Sequence, residues 1–191
     1  MRVLACALVT FAAACSSSSG GSVNGGTPGG GFDLADSISA SVTTSDGAGG
    51  SSSSARIVLA STSGLCGDAS ASPPVDRKGQ RFIGIGLSDV TGGTSTTPTA
   101  PGSYTIYPNT GSVPPKSASL DTGGLDSTCQ PIDEDAATAQ SGTVTLTAIS
   151  NGAFSGTFDV TLNTGDHLTG SFDPEPCASL AAAADVQHTC Q

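Results

Sequence analysis

The chain has 191 residues, among them 26 Gly, 11 Pro, 29 Ser and 23 Thr. These four residue types together make up 89 positions, a composition that argues against a helical bundle or a coiled coil. Charged residues are 12% of the chain, and 16 Asp and Glu against 6 Lys and Arg give a net charge of -10. Because phosphate contacts need clustered Lys and Arg, we expect no nucleic-acid partner.

The N-terminus has the pattern of an export signal. Residues 3–14 form an uncharged, mostly apolar run of twelve residues after Arg2, which is too short to span a membrane and typical of a signal peptide. The run ends on Ala12-Ala13-Ala14-Cys15, which resembles the lipobox of bacterial lipoproteins, in which the Cys becomes the lipid-modified first residue. The interpretation is a signal peptide over residues 1–14 and a lipid anchor at Cys15. The alternatives are an uncleaved apolar N-terminus and ordinary secretion after Ala14.

A Ser/Gly-rich segment follows the anchor. Of residues 16–31, 12 of 16 are Ser or Gly, so the segment predicts a flexible tether over residues 15–31. By analogy with lipoprotein sorting, Ser16 favours the outer membrane, on its periplasmic or its outer side. The alternative is a disordered N-terminus with no anchoring role. Removal of Arg2 with the signal peptide would leave a mature chain with a net charge of -11.

Four cysteines remain after the anchor, and an even number in an oxidising compartment predicts disulfides. They are Cys66, Cys129, Cys177 and Cys190, which allow three connectivities. We favour Cys66 with Cys129 and Cys177 with Cys190. A zinc site built from Cys177, Cys190 and the two histidines is the alternative. The chain has no Cys-x-x-Cys, and exported thiols usually oxidise, so disulfides are preferred.

Residues 32–191 predict a single all-β domain, because short alternating runs are separated by Gly, Pro, Ser and Asp clusters. We expect an antiparallel β-sandwich or barrel of about eight short strands, with a C-terminal three-stranded meander and a short C-terminal helix at 178–186. The predicted strands are 37–43, 56–60, 81–88, 103–107, 118–120, 143–149, 153–162 and 167–172.

The last three strands also predict their own pairing. The apolar positions from Val144 to Phe172 are even-numbered, so paired core residues must sum to an even number and each hairpin loop must have an odd length. Three-residue loops at 150–152 and 164–166 satisfy this condition. The expected pairs, which place large side chains opposite or beside glycines, are Val144 with Phe158, Leu146 with Gly156, Phe158 with Phe172, and Val160 with Gly170.

Residues 141–177 contain the hairpin motifs SGTVTLT, SGTFDVTL and LTGSFD followed by a Cys, and residues 55–66 are ARIVLASTSGLC. These motifs resemble those of a group of small lipoproteins from Gram-negative bacteria that have no assigned activity. The resemblance implies an exported lipoprotein with an all-β fold, and it implies no catalytic residue.

Residues that could carry chemistry are few. The chain has no Gly-x-Ser-x-Gly, Walker A, complete dinucleotide or His-Glu-x-x-His motif. His167, next to Asp166, could belong to a catalytic pair with a distant Ser, although a solvated turn histidine is preferred. The acidic run Asp133, Glu134 and Asp135 could bind Ca²⁺, although a solvated loop is preferred because the spacing of a calcium loop is missing.

Two further features bear on binding. Outward threonines at positions 143, 145, 147, 157 and 161 form a polar surface that could contact a glycan or an envelope protein. Tyr104 and Tyr107 point to opposite faces of their strand, so one of them is expected in the core and the other could stack on a ligand.

The sequence thus predicts a lipid-anchored cell-envelope protein with a non-enzymatic binding or structural role and no cofactor. Its partners would be the membrane, through the anchor, and an envelope protein or glycan. The alternatives are a hydrolase that uses His167 with an unrecognised nucleophile, and a carrier that holds a small ligand in a β-barrel cavity.

Overall fold

The computed structural model describes residues 20–45, 50–183 and 186–191. Within these residues the alternating segments form thirteen strands, and the remainder includes two short helices and a 3₁₀ turn at Asp133–Asp135. The strands are β1 (Gly20–Gly25), β2 (Asp36–Ser45), β3 (Ser51–Ala60), β4 (Val75–Asp76), β5 (Arg81–Thr91), β6 (Thr94–Thr96), β7 (Gly102–Ile106), β8 (Lys116–Gly124), β9 (Ala137–Ser150), β10 (Ala153–Leu162), β11 (His167–Asp173), β12 (Glu175–Pro176) and β13 (Thr189–Cys190). The helices are α1 (Leu65–Ser70) and α2 (Leu180–Ala183).

Eleven of these strands belong to one mixed sheet. Ten of them lie in the order β1-β11-β10-β9-β7-β8-β5-β3-β2-β12, and β6 pairs with β5. All neighbours are antiparallel except β7 with β8 and β12 with β2. The remaining strands, β4 and β13, form a separate parallel pair. The predicted all-β class is confirmed, together with the C-terminal meander β9–β11 and the short C-terminal helix.

The sheet curls around a filled interior. Near its two ends, β10 and β2 come together, where the backbone N–H of Phe154 donates to Ser39 Oγ over 3.3 Å. The aromatic rings of Tyr104, Phe154 and Phe172 are almost completely buried inside the curl, among aliphatic side chains of β3, β5 and β8–β10. Burial of these apolar side chains is the main stabilising contribution to the sheet. A carrier with a ligand inside the barrel is therefore not favoured, because side chains of the described residues occupy that space.

The hairpin between β9 and β10 partly confirms the predicted pairing. Val144 pairs with Phe158 and Leu146 with Gly156, as expected. The loop, however, has two residues, Asn151 and Gly152, both with positive φ (50° and 85°), because Asn-Gly favours a tight hairpin turn. Next to Leu146 the register shifts by one residue, so that Thr147 is not paired with a residue of β10. Beyond this shift the numbers of paired core residues again sum to an even number. Ala148, predicted to face the core, is consequently exposed.

The hairpin between β10 and β11 corrects the predicted register by two residues. Phe158 pairs with Gly170 and Phe172 with Gly156, instead of Phe158 with Phe172 and Val160 with Gly170. The core face is unchanged, since a shift by two residues keeps every side chain on its side of the sheet. Each Phe ring lies over a glycine: a Cβ added to Gly156 would lie 2.8 Å from Phe172 Cζ. The principle of Phe opposite Gly therefore holds, with different partners.

The N-terminal segment corrects the prediction of a tether that extends to residue 31. Gly20–Gly25 pairs along its whole length with β11 as an edge strand. Beyond it, Arg81 donates from Nη2 to Thr27 Oγ1 (2.9 Å) and from Nη1 to the carbonyl of Gly31 (2.7 Å). The prediction from glycine content was wrong here, because a strand of small residues can be held in place by backbone pairing, and the segment after it by hydrogen bonds from the side chain of Arg81. The rest of the predicted tether, the predicted signal peptide and Cys15 lie outside the described residues.

The two disulfides join other cysteines than those we favoured. Cys66 pairs with Cys177 and Cys129 with Cys190, with Cα–Cα distances of 5.6 Å and 5.7 Å. The predicted use of all four cysteines is confirmed, and the favoured pairing is wrong. Short sequence separation was a poor guide, because α1 lies against α2 and β13 runs beside β4, which brings distant cysteines together. The two bonds are typical of a protein that folds in an oxidising, extracytoplasmic compartment.

The disulfides fasten a small cap on the outside of the sheet. We define the cap as α1, α2, the β4–β13 pair and the C-terminal residues 186–191. Leu65 of the cap packs with Ile38 and Ala60 of the sheet and with Cys177 in an apolar cluster that is separate from the interior of the curl. Asp36 Oδ2 accepts hydrogen bonds from the backbone N–H groups of Gly64 (2.8 Å) and Leu65 (3.0 Å), which tie the start of α1 to the sheet.

Candidate functional site

The histidine singled out from the sequence lies on the outer surface of the sheet. His167 Nε2 is 2.7 Å from Asp159 Oδ1 on the neighbouring strand, and Asp166 is not its partner. The two side chains are 61% and 74% exposed, so this ion pair lies in the open and not in a cleft. A general base must lie within hydrogen-bond reach of the group that it deprotonates, in a site that excludes water. The exposed pair of His167 and Asp159 therefore does not favour the hydrolase alternative.

The acidic run lies in the 3₁₀ turn and has a structural contact. Asp135 Oδ2 forms an ion pair with Arg81 Nε at 3.4 Å, and the carbonyl of Asp135 accepts a hydrogen bond from Thr122 Oγ1. The segments that the structure describes contain no group of three or more His, Cys, Asp or Glu side chains placed to hold a metal ion. Asp133, Glu134 and Asp135 therefore do not converge on a calcium geometry.

The C-terminal cysteines and histidine are likewise engaged with protein groups. Cys177 and Cys190 form disulfides with two different partners, so their sulfurs are not available as thiolate ligands. His188 contacts Asp76 Oδ1 through Nδ1 (2.7 Å) and the carbonyl of Ala183 through Nε2 (2.8 Å). The alternative zinc site at this end of the chain is thus not formed.

The two tyrosines occupy the opposite environments that strand alternation predicts. Tyr104 is completely buried in the core, and its hydroxyl donates to Asp89 Oδ1 at 3.1 Å. Tyr107 follows β7, is half-buried, and lies on the outside. Its backbone N–H bonds to the carbonyl of Ala118 (2.9 Å) and its hydroxyl donates to the carbonyl of Gly111 (3.2 Å), so both ends of the residue are held.

Tyr107 lies between two shallow cavities on the outer face of the sheet, of about 160 Å³ and 230 Å³. We call the two cavities together the Tyr107 groove. Its walls are about half polar and half apolar, and they come from β3, β5, β8, β9 and the segment after β7. Besides Tyr107, the polar lining residues are Ser54, Ser88, Asn109, Ser117, Ser119, Asp121, Thr138 and Gln140.

Cross-strand pairing explains how polar side chains come to lie over the floor of the groove. Gly84 pairs with Asp121, and Gly86 pairs with Ser119, so glycines of β5 face polar side chains of β8. A Cβ on Gly84 would lie 2.8 Å from Asp121 Oδ2, and one on Gly86 would lie 2.7 Å from Ser119 Oγ. Without these glycines the polar side chains would be displaced, because the floor has no space for a second side chain in each pair.

Among the described residues that line the groove, Asp121 alone carries a charge. It is half-buried, and its carboxylate accepts no hydrogen bond from the described part of the chain. Burial raises the pKa of Asp121 above its ordinary value, an effect that the charge of nearby Arg56 partly opposes. A partly desolvated carboxylate without a donor is costly to the fold, and such groups are concentrated at binding sites.

Apart from the Tyr107 groove, a cavity of about 350 Å³ lies between the cap and the outer face of the sheet. Its walls are mainly apolar, with Val58 and Phe82 from the sheet and Leu65 and Leu180 from the cap. His188 and Asp76 lie at its edge. Hydrogen bonds to the carbonyl of Ala183 and to Asp76 raise the pKa of His188 above its ordinary value of 6.5. This cavity lies over the apolar cluster of the cap, and its polar groups are already paired.

Sequence analysis identified Tyr107 as one of two candidate aromatics, but it missed the polar residues of the groove. Asp121, Gly84 and Gly86 were not among the candidate residues. The available signal was the alternation itself: in β5 the glycines occupy the outward positions, which a strand usually fills with side chains. Which strand lies beside them is a property of the sheet order.

Comparison of the chain with known protein families, curated proteins and solved structures finds no match. None of the helices in the described ranges has the length and apolar character needed to cross a membrane. The groove can stack on, donate to and accept from a bound molecule, and none of the Ser and Thr hydroxyls described in its lining is hydrogen-bonded to Asp121. Its geometry therefore fits binding better than catalysis.

Proposed function

We propose that this protein is a lipid-anchored cell-envelope protein with a non-enzymatic binding role, and that the Tyr107 groove is its binding site. The observation that carries the proposal is the groove itself. It combines an accessible aromatic ring with the half-buried carboxylate of Asp121, which lies over a glycine of the neighbouring strand. Placement of these groups on paired strands preorganises them, which lowers the entropic cost of binding.

Export and anchoring are supported by three features. The two disulfides are consistent with an oxidising compartment. The apolar run before Cys15 has the length of a signal peptide, and the C-terminal hairpins resemble those of small Gram-negative lipoproteins. We place the anchor in the outer membrane because Ser16 follows the cysteine.

The fold also shortens the tether. Since the first strand begins at Gly20, four residues lie between Cys15 and the sheet, instead of the sixteen that the composition suggested. The five Cα–Cα steps from Cys15 to Gly20 span at most about 18 Å when the chain is fully extended. The domain would therefore lie close to the headgroups, and the groove would bind components near the membrane surface.

Metabolic labelling with a radioactive fatty acid tests the anchor. We expect the full chain to be labelled and to fractionate with membranes, and Cys15→Ala to lose both properties. Cys6→Ala is the matched control, since it removes the other N-terminal cysteine and should remain labelled. Equal labelling of the wild type and Cys15→Ala would contradict the proposal.

A further inference from the structure

We infer that the Tyr107 groove binds a neutral glycan, with Asp121 as acceptor for sugar hydroxyls and the Tyr107 ring as the surface on which a sugar ring stacks. This inference rests on the proposed binding function and specifies its ligand. It follows from the shape of the groove, its hydrogen-bonding groups, its charge and the position of its aromatic ring.

The shape favours a flat ligand with repeated units. The two cavities, about 160 Å³ and 230 Å³, share Tyr107, Asn109 and Ser119, so a single molecule can contact both. Each is smaller than the 300–1,000 Å³ that is usual for sites of drug-sized ligands. Two small, connected depressions on either side of a ring are suited to neighbouring sugar units of one chain.

The hydrogen-bonding groups of the groove match hydroxyl groups. Its walls present Ser and Thr hydroxyls and the amides of Asn109 and Gln140, each of which can both donate and accept. A sugar hydroxyl also does both, so such walls can satisfy it in several orientations. An apolar ligand would leave these groups without partners, which is costly.

Asp121 adds the acceptor that a hydroxyl-rich ligand uses best. An ionised carboxylate only accepts, and hydrogen bonds to it are about twice as strong as those between neutral groups. In the described residues its oxygens accept no hydrogen bond, and they lie over the backbone of Gly84 on the neighbouring strand. Two hydroxyls on adjacent carbons of a sugar would supply the missing donors.

Charge argues against an anionic ligand and against a cationic one. A chain with a net charge of -10 repels polyanions at long range, so acidic polysaccharides and nucleic acids are disfavoured. A cationic ligand would need the negative charge of Asp121, but the positive charge of Arg56 on β3 already compensates part of that charge. A neutral molecule with many hydroxyls avoids both conflicts.

The position of Tyr107 suits stacking. Its hydroxyl is tied to the carbonyl of Gly111 and its backbone to Ala118, so little freedom is lost when a ligand covers the ring. The face of an aromatic ring carries a partial negative charge and attracts the weakly positive C–H groups of a sugar. The only other tyrosine is buried, and the chain has no Trp.

This composition provides a direct assay. Tyrosine fluorescence of the full chain, purified in detergent, reports on two residues, of which Tyr107 alone lies in the groove. The probes are neutral tetrasaccharides of glucose, N-acetylglucosamine and mannose, each titrated to millimolar concentration, with heparin as the anionic comparison. We expect at least one neutral tetrasaccharide to bind and to change the fluorescence, and heparin not to bind.

Variants locate the binding. Tyr107→Leu should weaken it about fivefold or more, whereas Tyr107→Phe, which keeps the ring, should retain most of the affinity, measured by calorimetry. Asp121→Asn should weaken it about tenfold or more. Asp159→Asn, which removes the same charge from an exposed position on β10, is the matched control and should bind like the wild type.

Stability measurements on the same variants separate binding from folding. Burial raises the pKa of Asp121, so the ionised carboxylate lowers the stability of the fold as pH rises through that raised pKa. Asp121→Asn should therefore melt at the same or a higher temperature at pH 7 while it binds less well. Loss of binding together with a lower melting temperature would indicate damage to the fold and would overturn the assignment to Asp121.

Other outcomes overturn the inference as a whole. It fails if none of the neutral tetrasaccharides binds, or if binding is unaffected by Tyr107→Leu and Asp121→Asn. Preferential, salt-sensitive binding of heparin would also contradict it. The proposed function would still stand if another envelope component bound at the groove, and it would fail separately if Cys15→Ala did not change the labelling.

Discussion

The curled sheet and the cap are stabilised in different ways. Inside the sheet, Phe158 and Phe172 lie over glycines of neighbouring strands in a continuous apolar interior. The cap shares a small apolar cluster with the outer face of the sheet, has helices of only six and four residues, and is connected to the rest of the chain by two disulfides. Helices this short are not stable alone, so covalent links and side-chain pairs replace the apolar burial that the cap lacks.

The cavity under the cap and the Tyr107 groove differ in a similar way. The cavity under the cap has apolar walls and polar groups that are already paired, such as His188 with Asp76. The Tyr107 groove lies on long paired strands of the sheet, and its carboxylate accepts no hydrogen bond from the described residues. A site whose geometry must be maintained without a ligand is better placed on long paired strands than on a cap that depends on covalent links.

The largest expected effect is the loss of a core ring in the sheet. Phe158→Ala removes a side chain that is 3% exposed and lies over Gly170, and we expect the free energy of unfolding to fall by about 3–5 kcal/mol, measured by urea denaturation. Val113→Ala, at an exposed position, should change it by less than about 0.5 kcal/mol. Similar values for the two variants would mean that the interior is not the main source of stability.

The next effect tests the covalent support of the cap. Cys66→Ser with Cys177→Ser opens a link across 111 residues and should cost about 2–5 kcal/mol. Cys129→Ser with Cys190→Ser opens one across 61 residues, to an exposed Cys190, and should cost less. Hydrogen exchange should show faster exchange in α1 and α2 for the first variant, with β9–β11 still protected. Uniform loss of protection would show that the cap and the sheet unfold as one unit.

The smallest effect concerns pH. The hydrogen bonds to Ala183 and Asp76 raise the pKa of His188, so their stabilisation is fully present below pH 6.5 and is lost as pH rises through the raised value. We expect the melting temperature of the wild type to fall between pH 6 and pH 8.5 by more than that of His188→Gln. His167→Gln, at an exposed position, serves as control. Equal pH dependence of the wild type and His188→Gln would rule out this contribution.

The two regions also differ in how well the sequence predicts them. In the meander, alternation and the Asn-Gly dipeptide indicate the strands and their faces, since these depend on neighbouring residues. The register between β10 and β11 was predicted wrongly by two residues. Two registers that differ by two residues place the same side chains in the core, and they differ only in which Phe ring lies over which glycine. In the cap, spacing along the chain favoured the wrong disulfides.

The binding groove lies between these cases. Alternation along β7 separates Tyr104 from Tyr107, and the sequence therefore indicates that one of them faces outward. Asp121 and Gly84 are 37 positions apart and meet only because β5 lies beside β8. No local pattern predicts that adjacency.

By itself, then, the sequence determined the all-β class, the core faces of the last three strands, the oxidation of four cysteines and the scarcity of catalytic motifs. These follow from side-chain alternation, turn chemistry and composition, which act over a few residues. Only the tertiary structure decided which cysteines pair, that Gly20–Gly25 is a strand, and that Tyr107 and Asp121 line one groove. Those outcomes depend on the order of strands in the sheet, which is set by the packing of residues far apart in the chain.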